Sequence, residues 1–161
     1  MVDAGERPRR RPREPIERTW FRRARDQRGA VAVEFALIVP LLLLLVLGIL
    51  EFGFGYHAWD ATQNGAREGA RVGAVVSSQS EIEARVRGTT SFLDQSKLTV
   101  TCEVGSGGSF SACGEGDWDE GDIVRVTVEY RYDYITPLPN FVGMGTQMQL
   151  KSISEARFEG E

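Results

Sequence analysis

From Ala30 to Leu50 the chain reads AVAVEFALIVPLLLLLVLGIL, twenty-one residues in which Glu34 is the one charge. At about 1.5 Å per helical residue this run spans roughly 31 Å, close to the hydrocarbon thickness of a bilayer. A chain of 161 residues has room for one modest domain besides such a segment, but not for two ordinary cores. A membrane helix is therefore predicted, loosened locally at Pro40, where one backbone hydrogen bond is lost. An ionised carboxylate in hydrocarbon costs on the order of several kcal/mol, so Glu34 needs a partner and is a functional candidate by default.

The flanks set the orientation. Residues 1–28 carry ten arginines against five acids, whereas the remainder is net acidic, with an overall formal charge of −4. A basic, proline-rich head such as RPRRRPREP cannot bury enough apolar surface to order itself. No aromatic-interleaved basic face follows it, so nucleic acid is not the expected partner. Arg22, Arg23, Arg25 and Arg28 instead read as the positive-inside signal, holding the N-terminus in the cytoplasm and placing everything after the run outside.

A secretory signal should present small residues in an A-x-A-like arrangement beyond the apolar stretch. That region reads EFGFGYHAWDA, where only Gly53-Phe54-Gly55 fits, and weakly. A cut on the cytoplasmic side, after Gly29, accounts for more. It would discard the leader, leave Ala30 as the new N-terminus, and create an α-amino group that is largely cationic at pH 7, given a reference pKa of about 7.7 to 8. In a close-packed array, Glu34 of one subunit can meet that ammonium on a neighbour, a pairing strengthened by low dielectric. Its value lies in register, because an unpaired carboxylate penalises every misaligned neighbour. The alternative is a Glu34 that snorkels to the interface of a plain signal anchor.

The stretch RRARDQRGAVAVEFALIVPLLLLLVLGILEFG resembles the N-terminal region of the TadE-like family, minor pseudopilins of tight-adherence (Flp-type) pilus systems. The marks are basic residues, Gly29, Glu34, Phe35-Ala36, Pro40, a leucine run and Glu51-Phe52-Gly53. Asn64 to Arg71, NGAREGAR, is similar to the family's small-residue segment after the helix, and IVRVTVEYRYDYITPLPNFVGMGTQMQLKSISEARFE resembles its final strands. The resemblance implies cleavage after Gly29 by an aspartic prepilin peptidase, and a role for Glu34 in processing or assembly. It also implies partnership with other pilins and with inner-membrane assembly proteins, at a bacterial cell membrane. Major pilins of these systems commonly carry tyrosine after the glutamate; Phe35 points to the minor branch, which bears a globular extracytoplasmic region.

Beyond the membrane the helical pattern continues. Phe52, Tyr56, Trp59, Gln63, Ala66, Ala70 and Gly73 recur at steps of four and three. Ala61, Gly65, Gly69 and Gly73 form a second row at steps of four. Each glycine costs about 1 kcal/mol against alanine in a helix, so the row implies a gain from close approach. Neighbouring helices in a bundle and the chain's own domain are equally good candidates for what approaches. A second helix is expected within SQSEIEARVRGTTSFL, starting at Ser80 with Glu83 three residues on and with Ile82, Val86 and Phe92 as apolar points; Arg85 and Arg87 read as a solvated face. KLTVTCEV, DIVRVTVEYRYDY and TQMQLKSISEARFE alternate as strands, with Pro137 and Pro139 marking a break. The expected fold class is α+β and type IV pilin-like: a long transmembrane helix extending outside and packed on a small antiparallel sheet. The expected divisions are a leader, 1–29, a membrane helix, 30–51, and an extracytoplasmic domain, 52–161.

Cys102 and Cys113 are the only cysteines, both in the exterior portion. A disulfide between them is expected, closing a loop for about 3 kcal/mol of stability, with two buried thiols as the alternative. Two cysteines and the distant His57 give no zinc spacing. Glu115, Asp117, Asp119, Glu120 and Asp122 could gather calcium, but the order fails the EF-hand pattern and a solvated acidic loop is the default. A lone histidine, no nucleophile beside a recognisable base and no phosphate loop argue against an enzyme, and no cofactor is expected. Two readings remain: a pseudopilin-like assembly subunit, and a signal-anchored extracytoplasmic binding or sensor module.

Overall fold

In the computed structural model of the chain, residues 18–114 and 118–160 are described, with side chains from Gly29 onward. The basic head up to Glu17, the side chains of Arg22, Arg23, Arg25 and Arg28, and the loop residues Glu115 and Asp117 lie outside the described residues. The chain divides into two compact units, residues 1–43 and 44–161. Helix α1 spans Arg18–Gly73 and includes Pro40. In the first unit its described side chains are almost all exposed, Val31, Val33, Phe35 and Leu37 among them. An apolar helical segment whose described side chains are left this exposed suits a non-aqueous surrounding.

The second unit holds the rest: α2 (Gln79–Thr89), a 3₁₀ turn (Gln95–Lys97), β1 (Leu98–Ser106), β2 (Ser109–Ala112), β3 (Ile123–Asp133), α3 (Leu138–Phe141) and β4 (Gln147–Arg157). The strands form one antiparallel sheet in the order β2-β1-β3-β4. Period-two alternation sorts its faces. Val124, Val126, Val128, Tyr130 and Tyr132 of β3 are buried on the inner face. On the outer face Arg125 sits opposite Glu103 and Glu155 and pairs with both, at 3.6 and 2.7 Å, while Glu129 pairs with Lys151 at 2.9 Å. These half-exposed pairs set cross-strand register more than they add stability.

The inner face meets α1 through its glycines. A Cβ built on Gly73 would lie 2.7 Å from Val124 Cγ1 and 3.0 Å from Ile82 Cδ1; on Gly69, 2.7 Å from Val86 Cγ2 and 3.0 Å from Val126 Cγ1; on Gly65, 2.9 Å from Thr90 Cγ2. The step of four has a geometric reason. Four helical residues advance about 6 Å and two strand residues about 6.7 Å, so a small residue every fourth position matches every second side chain of β3. The three glycines are packed against the chain's own α2 and β3 and Thr90 beyond the end of α2, and Ala61 is buried as well. The first row does not share one environment: Ala66 and Ala70 are buried, whereas Phe52, Tyr56 and Trp59 are exposed, Phe52 stacked on Tyr56 at 6.1 Å and Tyr56 tilted against Trp59 at 5.6 Å. The buried stripe of α1 instead runs through Glu51, Gly55, Ala58 and Thr62 into the glycines.

Helix α2 is capped by Ser78 rather than Ser80: the Ser78 hydroxyl accepts from the Glu81 N–H. Ile82 and Val86 are fully buried, but Phe92 lies beyond the helix end, 57% exposed, against the His57 ring. Thr90 stops the helix first, its N–H and hydroxyl both donating to the Val86 carbonyl, at 3.0 and 2.8 Å. Arg85 and Arg87 are part-exposed, paired with Glu68 at 3.4 Å and Glu83 at 2.8 Å. Strand β2 falls where the sequence reads as loop. Gly107 and Gly108, with φ of 62° and 90°, form a two-residue hairpin turn that only glycine enters freely. The short helix α3 follows Pro137, where only a break was expected.

These contacts separate two glycines that sequence alone treats alike. Gly88, exposed in α2, has open space where a Cβ would go, so Gly88→Ala should stabilise the domain by about 0.8 to 1 kcal/mol. Gly69→Ala makes the same helical gain but overpacks Val86 and Val126, at a cost of about 1 to 3 kcal/mol, and should destabilise on balance. Denaturant melts of the two variants should move in opposite directions.

Candidate functional site

The helix and the sheet are joined by one carboxylate. Glu51 stands immediately after the apolar run, on the buried stripe of α1, and is 8% exposed. Its Oε1 accepts from the Tyr132 hydroxyl at 3.0 Å and the Ile135 N–H at 3.1 Å; its Oε2 accepts from the Thr136 N–H at 2.7 Å. The partners arrive by simple steps. Tyr132 is an inward position near the end of β3, its ring 3.7 Å from the Cβ site of Gly55, one turn along α1 from Glu51. The chain then leaves the sheet toward Pro137 and offers two backbone N–H groups that no strand claims. Burial first, and then the Glu51 carboxylate, push the Tyr132 phenol well above its ordinary pKa, so it remains a donor. Tyr134 meets its ring edge-on at 5.9 Å.

This is a clamp, not a reaction centre. Three donors converge on two oxygens, tying loop backbone and strand to the helix where it leaves its apolar stretch. Sequence reasoning noted Glu51 only as part of a motif. The signal available was a carboxylate on the same helical stripe as Gly55 and Ala58, where an uncompensated charge would be costly.

The sequence-derived positions fall in three separate places. Gly29, Ala30 and Glu34 lie on α1 in the first unit, all exposed, and Glu34 forms no hydrogen bond or ion pair among the described residues. Gly69 and Gly73 lie where α1 meets β3, Gly65 against Val86 and Thr90, and Ala61 is buried one turn before them. Cys102 and Cys113 form a disulfide, Cα atoms 5.4 Å apart, tying β1 to the end of β2. Of the acidic loop, Asp119 and Asp122 close a tight turn on each other. No cluster of metal-binding side chains occurs among the described residues.

A long apolar helix leading into a helix-backed antiparallel sheet defines a membrane-anchored α+β protein of pilin-like layout. The family model described as TadE-like protein matches residues 29–71, so that segment is similar to TadE-like proteins. The match begins at Gly29 and takes in Glu34, Glu51, Gly65 and Gly69. No curated protein and no solved structure matches the chain.

Proposed function

We propose that this chain is a non-catalytic minor pseudopilin, needed for assembly of a tight-adherence pilus and matured by a prepilin peptidase that cuts after Gly29. The observation that carries this reading is the TadE-like match opening at Gly29, with Glu34 exposed on the apolar helix that follows. Residues 1–29 form the leader, 30–51 the membrane helix and 52–161 the extracytoplasmic domain, with the N-terminus cytoplasmic in a bacterial cell membrane. Cleavage gives Ala30 a cationic amine. Glu34 then pairs with that amine on a neighbouring pilin or pseudopilin, fixing helix register before inner-membrane assembly proteins act on the array.

The test is intact mass and N-terminal sequencing of protein recovered from membranes of a host with its own tight-adherence peptidase. An N-terminus at Ala30, lost on Gly29→Val or on deletion of the peptidase, is the expected result. A retained leader would leave a plain signal anchor. Glu34→Ala should insert normally yet reduce pilus assembly at least about tenfold, the scale of a lost charge pairing of 1.4 kcal/mol or more. Normal piliation by that variant would remove the pairing.

A further inference from the structure

We propose that the segment Ile135–Met144 is a second membrane contact, seated in the interface of the same bilayer that holds the apolar helix. Its level is set by the clamp. The Ile135 and Thr136 N–H groups are bonded to Glu51, one residue past the end of the apolar run, so the segment cannot rise far from the depth at which that run ends. Its composition fits that depth. No charged side chain occurs from Tyr134 to Thr146, although the chain beyond the membrane run is acidic overall. Ile135, Phe141, Val142 and Met144 are 62%, 85%, 66% and 61% exposed, a cost in water that interfacial burial would remove.

The patch is continuous with the lipid-facing helix. An apolar groove of about 520 Å³ runs from Gly48 and Phe52 of α1 to Leu138, Val142 and Met144. Leu44, Leu45 and Ile49, each more than half exposed, stand just before it on the same helix. Tyr56 and Trp59, also lining the groove, stand one to two turns above Glu51, where the amphipathic rings of an interfacial belt belong. Lipid tails and headgroups therefore fit this surface as they fit the helix beside it. The domain is held to the bilayer at two points and its tilt is restricted.

The experiment uses the full chain in phosphatidylcholine and phosphatidylglycerol vesicles, disulfide intact, with Phe141→Cys carrying an environment-sensitive fluorophore. A label at Ser109→Cys, in the hairpin at the opposite end of β1, is the reference. Met144→Cys gives a second reading should position 141 disturb folding, which circular dichroism of each labelled variant monitors. Nitroxides near the lipid headgroup should quench position 141 or 144, and aqueous iodide should quench it about fivefold less than position 109. Equal access by iodide at both positions overturns the proposal. Shielding from iodide and nitroxide alike, lost as the protein is diluted in the vesicle, also overturns it and assigns the groove to a neighbouring subunit's helix. Cleavage after Gly29 is not needed, so a retained leader would leave the inference standing.

Discussion

Glu51→Ala should destabilise the folded domain by about 4 kcal/mol, the cost of leaving one buried hydroxyl and two backbone N–H groups without their acceptor. The Tyr132 hydroxyl is buried with its bond to Glu51, whereas the Ile135 and Thr136 amides are part-buried and water recovers some of their loss. Glu51→Gln keeps the side-chain volume and one carbonyl oxygen but lacks the second acceptor and the charge, so it should fall between the two. Tyr132→Phe removes a single bond to a charged group and should cost about 1.5 to 3 kcal/mol. Because Glu51→Ala already removes that bond, the double variant should cost much less than the sum. Denaturant melts of the full chain in detergent give the energies, and amide exchange should quicken selectively at residues 135 and 136. Tyr132's folded pKa is raised above the ordinary 10.0, so its contribution is complete below that value and is lost only as pH climbs through the higher one. Between about pH 6 and 9 the cost of Tyr132→Phe should therefore be flat; a titration inside that window would mean the phenol is not held as described.

The clamp also marks the limit of what was legible in the chain. The apolar run, the helix beyond it and the three long strands follow from period and composition, because each is an average over many residues. The glycine row was legible as close approach but not as to what approaches, since a neighbouring helix and a strand of the same domain both advance in steps close to four helical residues. Gly69 against Val86 and Val126 is a fact of tertiary structure. Strand β2 escaped because Ser109–Ala112 has no apolar alternation of its own and is held by pairing to β1. Ser78 and Ser80 compete for one cap, and which hydroxyl reaches the Glu81 N–H is decided by where the chain leaves α1. Glu51 and Tyr132 lie 81 residues apart, and no local pattern joins residues at that distance. The sequence-derived marks and the clamp therefore answer different questions: in the function proposed above Gly29 and Glu34 concern partners outside the chain, whereas Glu51 is bonded within it and holds strand and loop to the helix.

Replacing Cys102 and Cys113 together by alanine should lower the stability of the domain by about 3 kcal/mol, the loop-closure entropy that a short cross-link removes from the unfolded chain. Both cysteines are almost fully buried in the main core, 4% and 5% exposed, so alanines leave only small cavities and most of the loss arises in the unfolded state. The native contacts of the hairpin should survive: the Cys113 N–H bonds the Cys102 carbonyl at 3.1 Å, and Arg125 covers the Phe110 ring at 3.8 Å, independently of the sulfurs. A domain of about a hundred residues should then melt roughly 10 to 20 °C lower, with unchanged secondary structure by circular dichroism at low temperature. The same bond reports topology, since a disulfide persists in an oxidising compartment and is rare where glutathione keeps thiols reduced. In intact cells, alkylating reagents should therefore label the unmodified chain only after reductant is added. Free thiols in freshly harvested cells would place the sheet on the cytoplasmic side and reverse the orientation drawn from the arginines.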